Sequence, residues 1–151
     1  MGILDDLLGS EKKDYKENPQ PIGDGMKGVE GQIRLSIRFL PLRLSARQES
    51  HTDMLVTVVN KGDEKQLLSF EAFLPPKEMI GFDRMAMSKH FEKKLGHVEP
   101  GATSEFAVPI HGTNQTKAGG YQIGAVVNVH FVDYNKVMPT GLKRKIVLRV
   151  V

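Results

Sequence analysis

The sequence predicts an all-β protein, a sandwich of about seven strands with one short helical insertion and an N-terminal amphipathic tail. The longest uninterrupted alternation of apolar residues runs from Tyr121 to Phe131. A period of two places these apolar side chains on one face of a strand, which we take as the central strand. Several other short segments alternate in the same way, with turn residues between them. Since helices do not alternate with these strands, a nucleotide-binding α/β fold is disfavoured.

The remaining strands follow from the same alternation. Residues 32–39 alternate as one half-buried strand, and Pro41 then shifts the phase. Proline cannot donate to a ladder, so Pro41 marks an edge, a bulge or a change of sheet. Val127, in the middle of the central strand, is predicted to be fully buried. Further strands are predicted over residues 42–46, 54–59, 67–74, 106–110 and 145–150.

One segment departs from the strand pattern. Asp83 can cap a helix, and Gly96 is a typical C-terminal stop. Between them, Met87, Phe91 and Leu95 follow one another at steps of four. The spacing therefore predicts one short helix over residues 83–95, inserted between two strands.

The composition narrows the choice of function. At 151 residues the chain is long enough for one domain with its own core. It has no Cys, which excludes a disulfide framework, a thiolate zinc site and a cysteine nucleophile. It has no Trp and only 7% aromatic residues, which disfavours base stacking on nucleic acid. No apolar run approaches the ~20 residues of a membrane span, and Asp5 and Asp6 stand where a signal peptide would be basic, so we expect a cytoplasmic protein.

The first 30 residues are predicted to be separate from the domain that follows. Residues 1–9 have helical spacing of apolar residues, but so short a helix is unstable alone, so it must dock on its own domain, a protein partner or a membrane surface. Residues 10–31 are charged and rich in Gly and Pro, as is typical of a flexible linker. We therefore divide the chain into a tail over residues 1–30 and a β-sandwich domain over residues 31–151. The apolar stripe of the tail consists of Ile3, Leu4, Leu7 and Leu8.

Three stretches resemble immunoglobulin-like modules of prokaryotic proteins. Residues 56–62 (Val-Thr-Val-Val-Asn-Lys-Gly) are similar to a strand and its turn, and residues 99–103 (Glu-Pro-Gly-Ala-Thr) to a Pro-Gly turn before the next strand. Residues 117–123 (Lys-Ala-Gly-Gly-Tyr-Gln-Ile) are similar to a glycine turn and a tyrosine-bearing strand. Their order and spacing resemble the CARDB-like group over roughly residues 50–151. The resemblance implies an immunoglobulin-like sandwich that serves as a non-enzymatic spacer, adhesion unit or interaction platform.

Charge is unevenly distributed along the chain. There are 21 basic and 18 acidic residues, of which residues 1–30 hold four bases and seven acids, so the tail is acidic and the rest is basic. Four bases on the first and last strands are predicted to point outward, with Lys143 and Arg144 beside them. First and last strands are often neighbours in immunoglobulin-like sandwiches, so these bases are predicted to form one strip, which guards a sheet edge or binds an acidic ligand such as a protein tail, anionic lipid or nucleic acid. The acidic tail of the same molecule is a further candidate to cover this strip. The four bases are Arg34, Arg38, Lys145 and Arg149.

The histidines give no strong motif. No pair has the spacing of a zinc-binding helix, and no nucleophile elbow or P-loop is present. His130 is predicted on the outer face of the central strand, where a solvated side chain is the simplest interpretation. The alternative is a metal-binding or enzymatic site in which His130 meets Asp133, His97 and His111 in space. Residues 133–136, Asp-Tyr-Asn-Lys, are more typical of a turn.

These observations favour a non-enzymatic protein-interaction or scaffold module, with no cofactor and no metal. We expect a protein partner of unknown identity, bound through the apolar stripe of the tail and through the four bases of the strip. Two alternatives stay open: a peripheral membrane adaptor that uses the tail, and the metal-binding or enzymatic domain described above. Nucleic acid is the disfavoured partner.

Overall fold

The computed structural model describes residues 32–138 and 141–151, which form nine β-strands joined by turns and loops. Seven of these strands have eight residues or more, and two have only two residues. The tail lies outside the described residues, so the predicted domain division stays a prediction. The strands are β1 (Ile33–Leu40), β2 (Arg43–Leu44), β3 (Ser50–Asn60), β4 (Gln66–Phe73), β5 (Ile80–Gly81), β6 (His90–Val98), β7 (Thr103–Gly112), β8 (Gly119–His130) and β9 (Leu142–Val150).

The strands form two sheets whose inner faces pack against each other. The four-stranded sheet has the order β1-β3-β7-β5, and the five-stranded sheet has the order β2-β9-β8-β4-β6. All pairs are antiparallel except β2 with β9. Between the sheets, Phe70 of β4 meets Phe106 of β7 edge to face, with ring centroids 5.2 Å apart. The predicted all-β fold of two sheets is therefore confirmed, with nine strands in place of about seven.

The predicted central strand is β8, which lies between β9 and β4. Its inward side chains from Tyr121 to Val129 are buried, and Val127 is fully buried as predicted. The strand ends at His130, because the N–H of Phe131 donates to a carbonyl within the following loop rather than to a neighbouring strand. Phe131 therefore leaves the inner face, where the alternation had placed it, and 69% of its surface is exposed. Residues 133–136 form the predicted turn.

Tyr121 fixes the connection between β7 and β8. Its hydroxyl donates a hydrogen bond to the carbonyl oxygen of Lys117, four residues upstream. Burial raises the pKa of this phenol. A tyrosine near the start of its strand that bonds to the backbone just upstream is a recurrent feature of immunoglobulin-type sandwiches. The predicted glycine turn and tyrosine-bearing strand are thus one hydrogen-bonded unit.

Pro41 lies where the chain changes sheet, which is one of the three outcomes that the sequence allowed. β1 pairs with β3 as far as Leu40, and β2 pairs with β9 from Arg43 onward. The buried side chain of Thr52 on β3 holds the bend, because its hydroxyl donates to the carbonyl oxygen of Pro41. The first and last long strands, β1 and β9, therefore belong to different sheets.

The helix predicted over residues 83–95 is wrong. Residues 82–89 form a loop, and residues 90–98 form β6 at the edge of the five-stranded sheet. The prediction failed because steps of four place residues on one face of a strand as well as on one face of a helix. In β6, Phe91 lies opposite Ala72 of β4, whereas Leu95 falls at a bulge between Lys94 and Gly96 and has no partner in β4.

Asp83, which was predicted to cap a helix, instead stabilises the loop over residues 82–89. The carboxylate of Asp83 accepts hydrogen bonds from the backbone N–H groups of Met87 and Ser88, both at 2.8 Å. These bonds hold the pKa of Asp83 below its usual value, Ser88 having the largest effect. Ala86 has a φ of 58°, a left-handed conformation that a right-handed helix does not contain. The same carboxylate thus closes a tight loop rather than starting a helix.

Asn60 links the two sheets at the end of β3. It is fully buried, and its side-chain amide donates to the carbonyl oxygens of Glu64 and Val98, each at 2.8 Å. Its side-chain oxygen accepts from the N–H of Gly62 at 2.9 Å. Since Val98 ends β6, one side chain joins the four-stranded sheet, the β3–β4 turn and the five-stranded sheet. The resemblance of residues 56–62 predicted a strand and its turn, and the structure stabilises that turn with these side-chain hydrogen bonds.

Candidate binding surfaces

A row of four cations runs along the outer face of the five-stranded sheet. All four side chains are exposed, while their strand neighbours Leu44 and Leu148 point inward and are buried. Alternate residues of a strand lie about 7 Å apart, so the row is roughly 20 Å long. We call it the basic row, and it consists of Arg43 of β2 and Lys143, Lys145 and Arg149 of β9.

Within residues 32–138 and 141–151, no carboxylate forms an ion pair with the basic row. Arg43 and Arg149 lie directly opposite each other in the register of β2 and β9. Like charges in this position repel each other. The only ion pair in that part of the chain joins His90 to Glu71. An anionic partner would relieve this repulsion.

A glycine of β8 leaves a shallow furrow beside the basic row. Gly124 lies opposite Lys145 of β9 on one side and opposite Phe73 of β4 on the other. Phe73 is 43% exposed, so a cation and an aromatic ring flank the furrow. A Cβ atom at Gly124 would meet Phe73 only at 3.9 Å, an ordinary contact, so the fold itself has room for a side chain here. Val147, next to Lys145 on the same face, is 54% exposed and adds an apolar contact.

One carboxylate organises the far side of the same outer face. Glu71 of β4 accepts a hydrogen bond from the side-chain amide of Asn128 at 2.5 Å, and its other oxygen lies 2.9 Å from Nε2 of His90. The imidazole of His90 stacks on Phe73, with ring centroids 4.8 Å apart. The outer face is therefore cationic along β2 and β9, and the carboxylate of Glu71 on β4 already has its partners.

Arg34 and Arg38, the other two bases of the predicted strip, lie on the outer face of the four-stranded sheet. Both are exposed on β1, opposite half-buried residues of β3. Since β1 and β9 belong to different sheets, the assumption that the first and last strands are neighbours in one sheet is wrong. The structure brings Lys145 and Arg149 together but separates them from Arg34 and Arg38. Partner binding by these residues stays a prediction.

The residues of the metal-binding or enzymatic alternative are not brought together. His97 of β6 and His130 of β8 lie on either side of Leu67 of β4, which places them two strand spacings, or about 10 Å, apart. His111 belongs to β7 in the other sheet, and Asp133 lies in the exposed loop after β8. Among the residues that the structure describes, no group of three or more His, Asp or Glu side chains could hold a metal ion.

His130 lies on the outer face as predicted, but it is buried rather than solvated. Its Nε2 lies 2.8 Å from Oγ of Ser69, and the ring of Tyr134 covers it with 5.0 Å between centroids. A histidine activates a serine nucleophile when a third group orients the imidazole. In the described part of the chain, Nδ1 of His130 has no hydrogen-bond partner, and Ser69 is only 1% exposed. This geometry favours a structural contact over a nucleophile.

The apolar stripe of the tail, Ile3, Leu4, Leu7 and Leu8, lies outside the described residues. Its role in partner binding therefore stays a prediction. In the part of the chain that the structure describes, no helix is long and apolar enough to cross a membrane.

Sequence reasoning missed one member of the basic row. The alternation after Pro41 predicts that Arg43 points outward, but nothing local indicates which strand lies beside it. Its place in the row follows from the parallel pairing of the two-residue strand β2 with β9. A usable signal was the shared parity of Lys143, Lys145 and Arg149, which places three bases on one side of a single strand.

Comparison with family models gives no match, and no curated protein matches the chain. Several solved structures are similar in fold. The C-terminal domain of Wzt has 15% identity and a TM-score of 0.49, over 80% of this chain and 74% of that one. The CARDB domain of a Pyrococcus furiosus protein, in complex with di-metal ions, has 16% identity and a TM-score of 0.40, over 79% of this chain and 92% of that one. BslA, a bacterial hydrophobin, has 16% identity and a TM-score of 0.41, over 82% of this chain and 98% of that one.

A CARDB domain is thus among the structures that the chain resembles, as the three sequence motifs predicted. The resemblance concerns the fold alone, because at identities this low a shared fold does not carry a shared ligand.

Proposed function

We propose that the chain is a non-enzymatic interaction module of the cytoplasm, an immunoglobulin-like sandwich whose basic row binds an acidic segment of a protein partner. The basic row is the observation that carries the proposal. The immunoglobulin-like assignment is supported by the way β1 and β2 divide between the sheets and by the hydrogen bond of Tyr121 to the backbone upstream.

The charge of the basic row selects the chemistry of the partner. The four exposed side chains of the basic row are all cationic and share a face, and Arg43 lies opposite Arg149. Carboxylates placed along the row would replace repulsion by attraction, and arginine binds carboxylates through two parallel hydrogen bonds. A field of one sign also speeds the capture of an oppositely charged partner at low salt.

The spacing of the basic row suits an extended polypeptide. Alternate side chains of an extended segment are also about 7 Å apart, so acidic residues can meet Lys143, Lys145 and Arg149 while the position between the last two acids faces Val147. Val147 and the furrow above Gly124 supply apolar contacts between the charged ones. The low aromatic content of the chain, 7%, offers few platforms for stacking bases, which favours a protein segment over nucleic acid.

The test is the binding of a fluorescent peptide of about ten residues with Glu at every second position, followed by fluorescence anisotropy with the full chain. Two matched variants each reverse two charges: Lys145→Glu with Arg149→Glu, and Arg34→Glu with Arg38→Glu. The first pair should lower the affinity at least about tenfold and the second less than about twofold, because only the first removes contacts along the row. Unfolding temperatures should stay close to wild type, since all four side chains are exposed.

Equal losses of affinity in the two variants would contradict the proposal, because they would indicate attraction to net charge alone. A Glu peptide that binds no more tightly than its Gln counterpart would also overturn it. If a single-stranded oligonucleotide of the same charge binds more tightly than the peptide, the partner is nucleic acid instead.

Recruitment through the tail is a second part of the proposal and rests on the sequence. The apolar stripe can bury enough area for a contact of a few kcal/mol at about 25 cal/mol per Å², much of which is lost in ordering the segment. The double variant Leu4→Ser with Leu8→Ser should keep the unfolding temperature of the full chain and abolish recovery of the partner from a native lysate. A large loss of stability would mean that the tail packs on its own domain. Flotation of the wild type with liposomes would favour the membrane adaptor.

A further inference from the structure

A second cluster of titratable residues lies on the outer face of the four-stranded sheet and takes no part in the proposed function. His51 of β3 and His111 of β7 stand directly opposite each other in the strand register. Their ring centroids are 5.8 Å apart, and the rings are tilted by 34°. They line an open pocket of about 260 Å³. We call it the histidine pocket, and its lining residues are Glu49, Ser50, His51, Arg84, His111 and Gly112.

The loop over residues 82–89 holds Arg84 at this pocket. The loop is closed by the N–H of Phe82, which donates to the carbonyl oxygen of Ser88 at 2.9 Å, and by the carboxylate of Asp83. It also packs directly on β5, since a Cβ atom at Gly81 would lie only 2.4 Å from Cα of Ala86. β5 in turn pairs with β7, where Gly81 meets His111. The backbone that carries Arg84 is therefore fixed relative to the two imidazoles.

The histidine pocket gains positive charge as its imidazoles are protonated. Arg84 keeps its charge at all physiological pH values. Burial, and then the charges of His51 and Arg84, lower the pKa of His111, while Asp83 and Asp53 act in the opposite direction. Glu49 is the single carboxylate of the lining, and within the described ranges no ion pair joins it to Arg84 or to either histidine. Once both imidazoles are protonated, a bound anion would offset the repulsion among the three basic groups.

The same geometry disfavours a metal cation. Two imidazoles supply two ligands, and no third His, Asp or Glu in the described residues completes a metal-binding group. The fixed charge of Arg84 would also repel a cation. An oxyanion, in contrast, can accept hydrogen bonds from the guanidinium and from both protonated imidazoles.

We propose that the histidine pocket binds a phosphate group, held by Arg84, His51 and His111, and that it binds more tightly as the pH falls through the range in which imidazoles take up protons. Arg84 supplies the fixed charge and the planar hydrogen-bonding geometry that suit phosphate. The two histidines supply charges that appear only on protonation. Glu49 opposes the anion and limits its affinity.

The first test uses sulfate, a tetrahedral anion whose charge stays constant over the pH range studied. Sulfate is titrated into the full chain, and the imidazole signals are followed by NMR at about pH 8 and about pH 5.5, on either side of the ordinary histidine pKa. The signals of His51 and His111 should shift and saturate, with an affinity at least about tenfold higher at the lower pH. The signal of His97, on the other sheet, should show no saturating shift. Absence of saturation at the pocket, or equal affinity at both pH values, overturns the proposal.

Two single substitutions distinguish an anion site from a cation site. Arg84→Gln should lower the affinity for sulfate at least about tenfold, because it removes the fixed charge. Glu49→Gln should raise the affinity, because it removes the opposing carboxylate. A metal site would respond in the opposite way, so Zn²⁺ binding that is strengthened by Arg84→Gln and weakened by Glu49→Gln would overturn the proposal. In His111→Gln the affinity should change less with pH than in the wild type.

Inorganic phosphate and a phosphoserine peptide then distinguish the sources of the group. Tighter binding of the peptide identifies a phosphorylated residue of a partner as the source, and equal or weaker binding identifies free phosphate. Both results support the pocket as a phosphate site. Failure of both probes to compete with sulfate overturns it.

Discussion

The outer faces of the two sheets each carry two of the bases that the sequence singled out, but their surroundings differ. On the five-stranded sheet, Lys145 and Arg149 belong to the basic row along β2 and β9, while the carboxylate of Glu71 lies apart on β4, paired with His90 and Asn128. On the four-stranded sheet, Arg34 and Arg38 share their face with carboxylates such as Asp53 of β3. Alternation determines on which side of its own strand a residue lies, whereas the pairing of strands determines which charges add together.

Both outer faces are held in place by the buried core between the two sheets. Val127→Asp would place an unpaired charge in that core and should cost more than about 4 kcal/mol, enough to prevent folding. Val147→Asp is the matched control, because Val147 is 54% exposed on β9. It should change stability by less than about 1 kcal/mol. Solubility and circular dichroism of both variants check this, and a Val127→Asp protein that melts like the wild type would refute the placement of β8.

The packing of the two sheets on each other also depends on Asn60, which joins them at one end. Asn60→Ala removes three hydrogen bonds, of which the one to the carbonyl oxygen of Val98 is buried. We expect a loss of about 2–3 kcal/mol in the free energy of unfolding, measured with urea. Asn135→Ala, in an exposed turn, should cost less than about 0.5 kcal/mol. Equal effects of the two substitutions would show that the link between the sheets contributes little.

A smaller change in peptide affinity should show how much the shape of the five-stranded face contributes to binding, apart from its charge. Gly124→Leu fills the furrow beside Lys145 without altering any charge, and it should lower the affinity for the acidic peptide about threefold to tenfold, or up to about 1.4 kcal/mol. Gly124→Ala should raise stability by about 0.5 kcal/mol, because it restricts the unfolded chain and its Cβ finds an ordinary contact. Unchanged peptide affinity in Gly124→Leu would mean that the furrow is not part of the binding surface.

The smallest expected effect is a pH dependence of the stability, and it arises from His111 on the four-stranded face. The pKa of His111 is lowered in the folded chain, chiefly by burial, so folding disfavours its protonation. The native state therefore loses stability as the pH falls below the ordinary histidine value of 6.5. His111→Gln should remove part of this loss in the absence of anions, with an effect smaller than those above because the ring is partly exposed. Unfolding temperatures between about pH 8 and about pH 5.5 check it, and an unchanged pH dependence would count against the described surroundings of His111.

The sequence was a good guide where the period of two was unambiguous. β1, β4 and β8 appear close to their predicted bounds, and Pro41 marks the change of sheet as one of its expected outcomes. The segment that became β6 could not be identified in this way, because Met87, Phe91 and Leu95 fit both periods. Only the tertiary position of the segment beside β4 decided between them.

The candidate site was harder to predict than the fold. The exposure of Lys145 and Arg149 followed from alternation, but the addition of Arg43 required the pairing of β2 with β9. The burial of His130 depends on Tyr134 from the loop after its strand, and no local pattern predicts that contact. Long-range pairing therefore accounts for most of what the sequence did not indicate.

The central claim is that an acidic segment binds the outer face of the five-stranded sheet, and amide chemical shifts test it most directly. The acidic peptide is titrated into the full chain labelled with ¹⁵N, and the shift of every amide signal is recorded. We expect the largest shifts in β9, in β2 and in the part of β8 around Gly124, with small shifts in β1 and β3. Largest shifts around Arg34 and Arg38, or shifts of equal size on both faces, would contradict the claim.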